Sequence, residues 1–399
     1  MALWKKVILA IVLGVLFGMY LPQYAIYIKP IGDIFIRLLK VVITPLVFFS
    51  ILSGMCSMES STATSRVSLK SIALYVFTTI TAIALGIAAA LILRPGDGIE
   101  CSLCPTTSTL VPQFKFSDFL INIIPSSPLS PFIENNVLQA VFLALLFGYS
   151  ISQLNNNEIK KSVNSLFQLM IKVIIYVVEL TPYATFSFTA WLIADQGFDL
   201  FFSFSSLALA VLCAIIVQYL LFGVMILVFC RMSPMPFYRK SLEYQLIAFS
   251  TSSSKATLPT TMKVCREDLG VSASSTAFVL PLGASMNMVG LAIKLSVSAL
   301  FFAQLYNTPL GMHEYAVIIF TSTIGSIGGA GIPGGTLVML PMILSAINLP
   351  IDGVALLAGI ERIMDMASTA INITGDAVVT VVVDHSEGTL DKKKYLKGN

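Results

Sequence analysis

Ser326-Ile-Gly-Gly-Ala-Gly-Ile-Pro-Gly-Gly-Thr336 sits in the middle of an otherwise apolar stretch, 313–350. An α-helix does not run cleanly through five glycines and a proline. Flanking apolar sequence excludes a linker, and unwound backbone at membrane depth is tolerated only against protein or a water-filled cavity. The stretch therefore reads as two half-helices meeting at a tip, a re-entrant hairpin. Residues 241–273 repeat the pattern around Ser250-Thr-Ser-Ser-Ser254-Lys-Ala-Thr-Leu-Pro259. Two interrupted apolar segments are the mark of a secondary transporter with internal repeats. Helix N-termini offer free N–H groups to a carboxylate, and unwound carbonyls offer oxygens to a cation. The alternative is a pair of kinked helices packed through small residues, which Gly331-x-x-x-Gly335 would fit. A phosphate-binding loop fits poorly, because no lysine precedes Thr336.

Composition places these segments in a bilayer. Of 399 residues, 56% are hydrophobic and 11% charged, against about 25% charged in a soluble domain. Mean hydropathy is +0.87. Such a chain cannot cover a soluble surface, and its net charge of +3 is too small to imply nucleic acid or another electrostatic partner. Cys56, Cys213, Cys230 and Cys265 stand alone in or beside apolar runs and read as small packing residues. Cys101 and Cys104 lie in a polar loop without a second pair nearby. A local disulfide or two free thiols suits them better than zinc.

Further apolar segments run over about 7–27, 34–57, 71–93, 119–152, 162–195 and 199–230, then 275–306 and 353–383. Pro125, Pro128 and Pro131 are expected to break the fourth. The N-terminal segment has no small-residue cleavage site, so it reads as a retained helix and not a signal peptide. Lys5/Lys6, Arg66/Lys70, Lys160/Lys161, Arg231/Arg239/Lys240 and Lys392/Lys393/Lys394/Lys397 fall at alternate ends of the spans. The positive-inside rule then puts both termini in the cytoplasm and the chain in the cell (inner) membrane. Arg37, Lys40 and Lys172, within spans, are not explained by it.

The last segment carries a polar stripe. At 100° per residue, Glu361, Asp365, Ser368, Thr369, Asn372 and Asp376 fall within an arc of roughly 100°. Intramembrane carboxylates cost about 2.5–3.5 kcal/mol each even on the forgiving insertion scale, so they need cations, donors or water. Structural ion pairing with Arg362 or Lys294 is the plain alternative, strongest for Glu361 near the helix end. Asn287 lies in apolar surroundings at Pro281-Leu-Gly-Ala-Ser-Met-Asn-Met-Val-Gly290. Together with Asn372 and Asp376 it offers the oxygens a hard cation wants.

Three motifs in this order, Ser252-Ser-Ser-Lys-Ala-Thr-Leu-Pro259, Pro281 to Gly290, and Asp365-Met-Ala-Ser-Thr-Ala-Ile-Asn-Ile-Thr-Gly-Asp376, resemble the dicarboxylate/amino acid:cation symporters, the glutamate transporter family. Ala330-Gly-Ile-Pro-Gly334 falls where that family has its second hairpin. The resemblance spans essentially the whole chain. It implies an all-α membrane protein of eight transmembrane helices plus two re-entrant hairpins, built on inverted repeats and working as an elevator in a homotrimer. Residues 1–70 and 119–195 would form the fixed scaffold, and 71–93 with 199–390 the mobile transport domain. The second hairpin would be the gate.

By position, the resemblance implies that Asp365 holds a substrate amino group, with Thr369 and Asn372 on its backbone end and Met288 and Ser368 nearby. Ser252, Ser254, Gly331, Ile332 and Gly334 at the hairpin tips would hold its α-carboxylate. Gly283, Asn287, Asn372 and Asp376 would form a first sodium site. Ser285, Ser326, Ile327 and Gly329 would form a second, made largely of carbonyls. Tyr75, Thr78, Thr79 and Asn287 would be part of a third.

Four positions depart from the family pattern. Val289 stands where the third sodium site has an aspartate, which puts that site in doubt and suggests fewer sodium ions, or protons instead. Lys294, where an aromatic is common, is a tethered ammonium that replaces a bound cation or pairs with a carboxylate. Lys255 stands in the serine-rich tip. Ser368 stands where acidic-substrate members have arginine. The expected function is a symporter, not an enzyme, that moves an amino acid across the bilayer with Na+ or H+, neutral substrates favoured and no other cofactor. The alternatives are an acidic amino acid or dicarboxylate symporter with Lys255 in place of the arginine, and a substrate-gated channel or sensor. Catalysis by Asp365 and Asp376 is disfavoured, because eleven residues separate them by about 16 Å along a helix.

Overall fold

The computed structural model describes residues 3–56, 62–97, 121, 123–154, 156–196, 198–329 and 334–396. All regular structure among them is helical. Four described runs, Arg66–Leu93, Phe204–Cys230, Ala273–Leu305 and Ile363–Ser386, are each long and apolar enough to cross a bilayer. Cys101 and Cys104 lie outside the described residues.

The N-terminal half contains α1 (Leu3–Tyr20), α2 (Pro22–Cys56), α3 (Thr62–Leu93), α4 (Ser130–Ile133), α5 (Val137–Leu154), α6 (Asn157–Glu179) and α7 (Thr181–Gln196). Two breaks differ from the sequence expectation. The first helix stops at Tyr20 rather than 27, because Pro22 can open α2 at its first position, where no N–H is needed. The apolar run 162–195 is two helices, bent by 47° at Leu180 ahead of Thr181-Pro182. The proline-rich stretch before α5 is broken as expected: α4 is a single turn opened by Pro131.

The C-terminal half contains α8 (Phe198–Met225), continued by a π-helical turn at Ile226–Cys230, then α9 (Met235–Thr251), α10 (Ser254–Glu267), α11 (Ala273–Met286) and α12 (Val289–Leu305). After these come α13 (Met312–Gly328), α14 (Gly335–Ala346), α15 (Ala358–Ser386) and a short α16 (Lys392–Leu396). At each of the two interrupted stretches the flanking helices pack together, α9 on α10 and α13 on α14. The first tip is only two residues. Ser252 takes the left-handed conformation at φ 50°, and the Ser253 hydroxyl caps α10 by accepting from Ala256 N–H at 3.2 Å. At the second, Gly334 is left-handed at φ 69° just before α14, a conformation open to glycine without steric cost.

The run 275–306, read as one span, is broken in its centre. Pro281 lies inside α11, Asn287 is extended, and α12 restarts at Val289. This break faces α15, which packs against α8 to α12. Nearly every residue of α12 is buried. Packing separates the helices into two groups. The α1, α2, α5, α6 and α7 helices pack principally on one another, while α3 packs with α8 and α12.

Two features lock α3 to the second group. Gly86 lies so close to α12 that a Cβ there would fall on the Ser296 hydroxyl. At the other end, Lys70 donates to Glu387 at 2.6 Å and Arg66 pairs with the same carboxylate. These hydrogen bonds, Lys70 first, hold the Glu387 pKa below its ordinary value of 4.5. A carboxylate with a lowered folded pKa contributes stability above the ordinary value and loses it as pH falls through the folded one.

Gly86→Ala is expected to lower stability by about 1–3 kcal/mol through overpacking, read as a drop in thermal midpoint of the detergent-solubilised protein. The difference in midpoint between wild type and Glu387→Gln is expected to be present at neutral pH and to disappear under acid, below the glutamate range.

Candidate functional site

The polar face of α15 points inward. Glu361, Ser368, Thr369, Asn372 and Asp376 are all buried, and Asp365 is partly open. A polar stripe on an intramembrane helix can face only protein or water, and here it faces α12 and the hairpin tips. Three clusters result.

The uppermost is ionic. Lys294 reaches from α12, wholly buried, and its Nζ donates at 2.9 Å to Glu361 Oε1 and at 2.9 Å to Asp365 Oδ1. Glu361 Oε1 also faces the backbone N–H of Thr336 at 3.4 Å, in the first turn of α14. Pairing is therefore the outcome for Lys294, since its ammonium goes to these carboxylates and not towards Tyr75 and Thr78. Glu361, read as a helix-end group, is brought into the centre of the site. Its signal in the sequence was Lys294 in the apolar segment 275–306, one of the two cations expected to pair with it.

The second cluster is a cavity of about 1090 Å³. Ser252, Ser254 and Lys255 of the first hairpin tip line it, as do Met288 at the α12 break and Gly329 and Gly335 flanking the second tip. Asp365, Ser368, Thr369 and Asn372 of α15 complete that wall. Gly331 and Ile332 fall outside the described residues, and Gly334 adjoins Gly335 without lining the space. The opposite wall comes from α1, α6 and α7, including Leu13, Glu179 and Tyr183. Lys255 places its ammonium 5.1 Å from the ring of Phe167 on α6, a cation–π partner that no sequence pattern announced. Asn372 also engages the backbone, where its Oδ1 accepts from Gly290 N–H at 2.7 Å. It thereby satisfies a group freed by the broken helix.

The third cluster lies below. Asn287 and Asp376 are fully buried, and Asn287 Nδ2 donates to Asp376 Oδ1 at 2.9 Å. Asp376 Oδ2 is buried without a hydrogen-bond partner. Gly283 permits this close approach, since a Cβ there would stand 2.5 Å from both Asp376 Oδ1 and the Tyr75 hydroxyl. Tyr75 donates to the Val279 carbonyl at 2.9 Å, and Thr78 reaches Asn287 Oδ1 at 3.4 Å. An unpartnered carboxylate oxygen, an amide oxygen and hydroxyls gathered beside Gly283 are hard-oxygen donors of the kind a small cation takes. Candidates for the first and third cation sites thus share one cluster. Thr79 is buried beside them on α3, and Val289, apolar and buried, adds no ligand. The second candidate set is not drawn together by hydrogen bonds. Ser285 is exposed and bonds the Pro281 carbonyl of its own helix, while Ser326 is buried and bonds Thr323. Ile327 and Gly329 follow Ser326 at the end of α13.

Discontinuous helices, hairpin tips on a shared cavity and a buried cation-type cluster define a multi-pass helical membrane transporter. The chain belongs to the sodium:dicarboxylate symporter family, whose model matches residues 3–386. It is a family of transporters, not of enzymes. The chain is 31% identical to the C4-dicarboxylate transport protein of Stenotrophomonas maltophilia, covering 98% of this chain and 90% of that protein. It is 32% identical to the protein of that name from Delftia acidovorans, covering 98% and 91%. It is 29% identical to the proton/glutamate-aspartate symporter of Escherichia coli, covering 98% and 94%.

Asp376→Asn is expected to weaken the cation dependence of stability more than stability itself. In a sodium titration at constant ionic strength, with a parallel pH series, the cation-induced rise in thermal midpoint should need more than tenfold higher cation in the variant, which is about 1.4 kcal/mol or more of binding.

Proposed function

We propose that this chain is a secondary active symporter that moves a small carboxylate-bearing solute, an amino acid or a dicarboxylate, together with Na+, H+ or both. The observation that carries this is the cavity between the hairpin tips and the polar face of α15, with the orphaned Asp376 carboxylate beside it. The N-terminus of α10 at the first tip and the Ser252 and Ser254 hydroxyls suit a substrate carboxylate. Asp376 and Asn287 beside Gly283 suit the coupling cation, and one cluster serving two candidate sites favours few coupled ions. The relatives' names, a C4-dicarboxylate transporter and a proton-coupled glutamate–aspartate symporter, agree with an anionic substrate. Ser368 argues for a neutral one, as it supplies no charge. Lys255 restores a cation to the cavity wall, so the acidic substrate is the better supported of the two.

The two packing groups support an elevator. The α3 and α8 to α15 helices would move as the transport unit against a scaffold of α1, α2 and α5 to α7, and the cavity lies between the two. A homotrimer in the cell (inner) membrane with both termini cytoplasmic accompanies this reading. Its support is the family membership and the alternating Lys and Arg clusters.

Purified protein in liposomes is expected to accumulate labelled dicarboxylate or amino acid when an inward sodium or proton gradient is imposed. Uptake indifferent to both gradients would sink the symport reading. Current without accumulation would make the protein a channel.

A further inference from the structure

An ammonium-bearing solute entering a low-dielectric cavity needs a carboxylate to receive it. Beside the hairpin tips that carboxylate is Asp365, whose side chain is 17% exposed and lines the space. Its Oδ1 is already engaged at 2.9 Å by Lys294, a side chain with no exposed surface. Glu361 is no substitute acceptor. It lies behind Lys294, is 4% exposed, takes no part in the cavity wall and faces the N-terminus of α14 through Thr336 N–H. The lysines on the wall are Lys255 and Lys6, and the other acidic residue on it, Glu179, belongs to α6.

We propose that Lys294 is a specificity-determining residue: a tethered ammonium that takes, at Asp365, the place of a substrate's amino group, so that the cavity selects dicarboxylates without an amine over amino acids. This rests on the cavity being the substrate site. A solute ammonium at Asp365 must either displace Lys294, which leaves a buried ammonium with one carboxylate in place of two, or bind Oδ2 of a carboxylate whose charge Lys294 already neutralises through Oδ1 at 2.9 Å. The penalty falls on every amine-bearing solute and on no amine-free one. Lys255, with no carboxylate paired to it among the described ion pairs, remains to receive an anionic end of a dianion.

The test compares solutes that differ only by the α-ammonium: succinate with aspartate, and glutarate with glutamate. Each is measured as labelled uptake into proteoliposomes and as ligand-induced thermal stabilisation in detergent. Wild type is expected to favour the amine-free member of at least one pair tenfold or more in kcat/KM. Lys294→Gln, which frees Asp365, is expected to close or reverse that ratio, and Lys294→Arg to keep it. Should Lys294→Gln fail to fold, the wild-type ratios and Lys294→Arg still decide. Equal handling of both members of each pair, or preference for the amino acid, would overturn the role of Lys294 and leave symport standing. The same holds if alanine or serine is taken up and no dianion is. Gradient-independence of every solute would overturn both.

Discussion

The buried ammonium of Lys294 between Glu361 and Asp365 is the interaction on which the rest of the C-terminal half depends. Two carboxylates on one face of an apolar helix and a lysine inside its neighbour are each costly at membrane depth. Held 2.9 Å apart, they offset one another, and the offset requires α12 and α15 to sit face to face in a single register. The same contact reaches α14 through Thr336. One ionic cluster therefore joins the broken helix, the polar helix and the second hairpin, and it stands at the edge of the cavity these elements enclose.

Interrupted helices create the site because they leave backbone groups free where nothing but protein can satisfy them. At Gly290 the freed N–H goes to Asn372, which fixes an α15 side chain against the break. At the first tip the Ser253 hydroxyl caps α10. Asp376 is buried with Oδ2 unmatched, as is Glu361 with Oε2, and Gly283 lets the α11 backbone approach the Asp376 carboxylate closely. Both clusters thus hold a buried carboxylate oxygen without a hydrogen-bond partner, Glu361 Oε2 on the carboxylate paired with Lys294 and Asp376 Oδ2 on a carboxylate with no ion-pair partner among the described residues.

Much of this was legible in the sequence. The glycine and serine clusters located both interruptions, because Gly and Pro interrupt a helix wherever they occur. The stripe from Glu361 to Asp376 was legible because helical period alone puts those residues on one face. The positions of the early breaks were less legible. Tyr20 and Glu179 end their helices because a proline follows at a place where the next helix can start, and apolar runs on either side conceal that choice. The break at Asn287 was hidden as well. A mid-helix proline is often accommodated, and the feature that stabilises the interruption, the Asn372 side chain, lies eighty-two residues away from Gly290.

By itself the sequence determined the class: too few charges for a soluble surface, two broken apolar segments, and carboxylates placed where only partners or cations make them tolerable. These are properties of composition and local period, which act before any long-range contact forms. Only the tertiary structure decided which charges meet. Lys294 could have served as a stand-in cation near Tyr75 or as a partner for any of three carboxylates. Its ammonium went to Glu361 and Asp365, Asp376 was left with no ion-pair partner among the described residues, and Lys255 came to rest against Phe167. Those choices depend on how separate helices are packed and rotated, and a hydrogen-bonded ion pair forms only at contact distance, so no spacing along the chain encodes them.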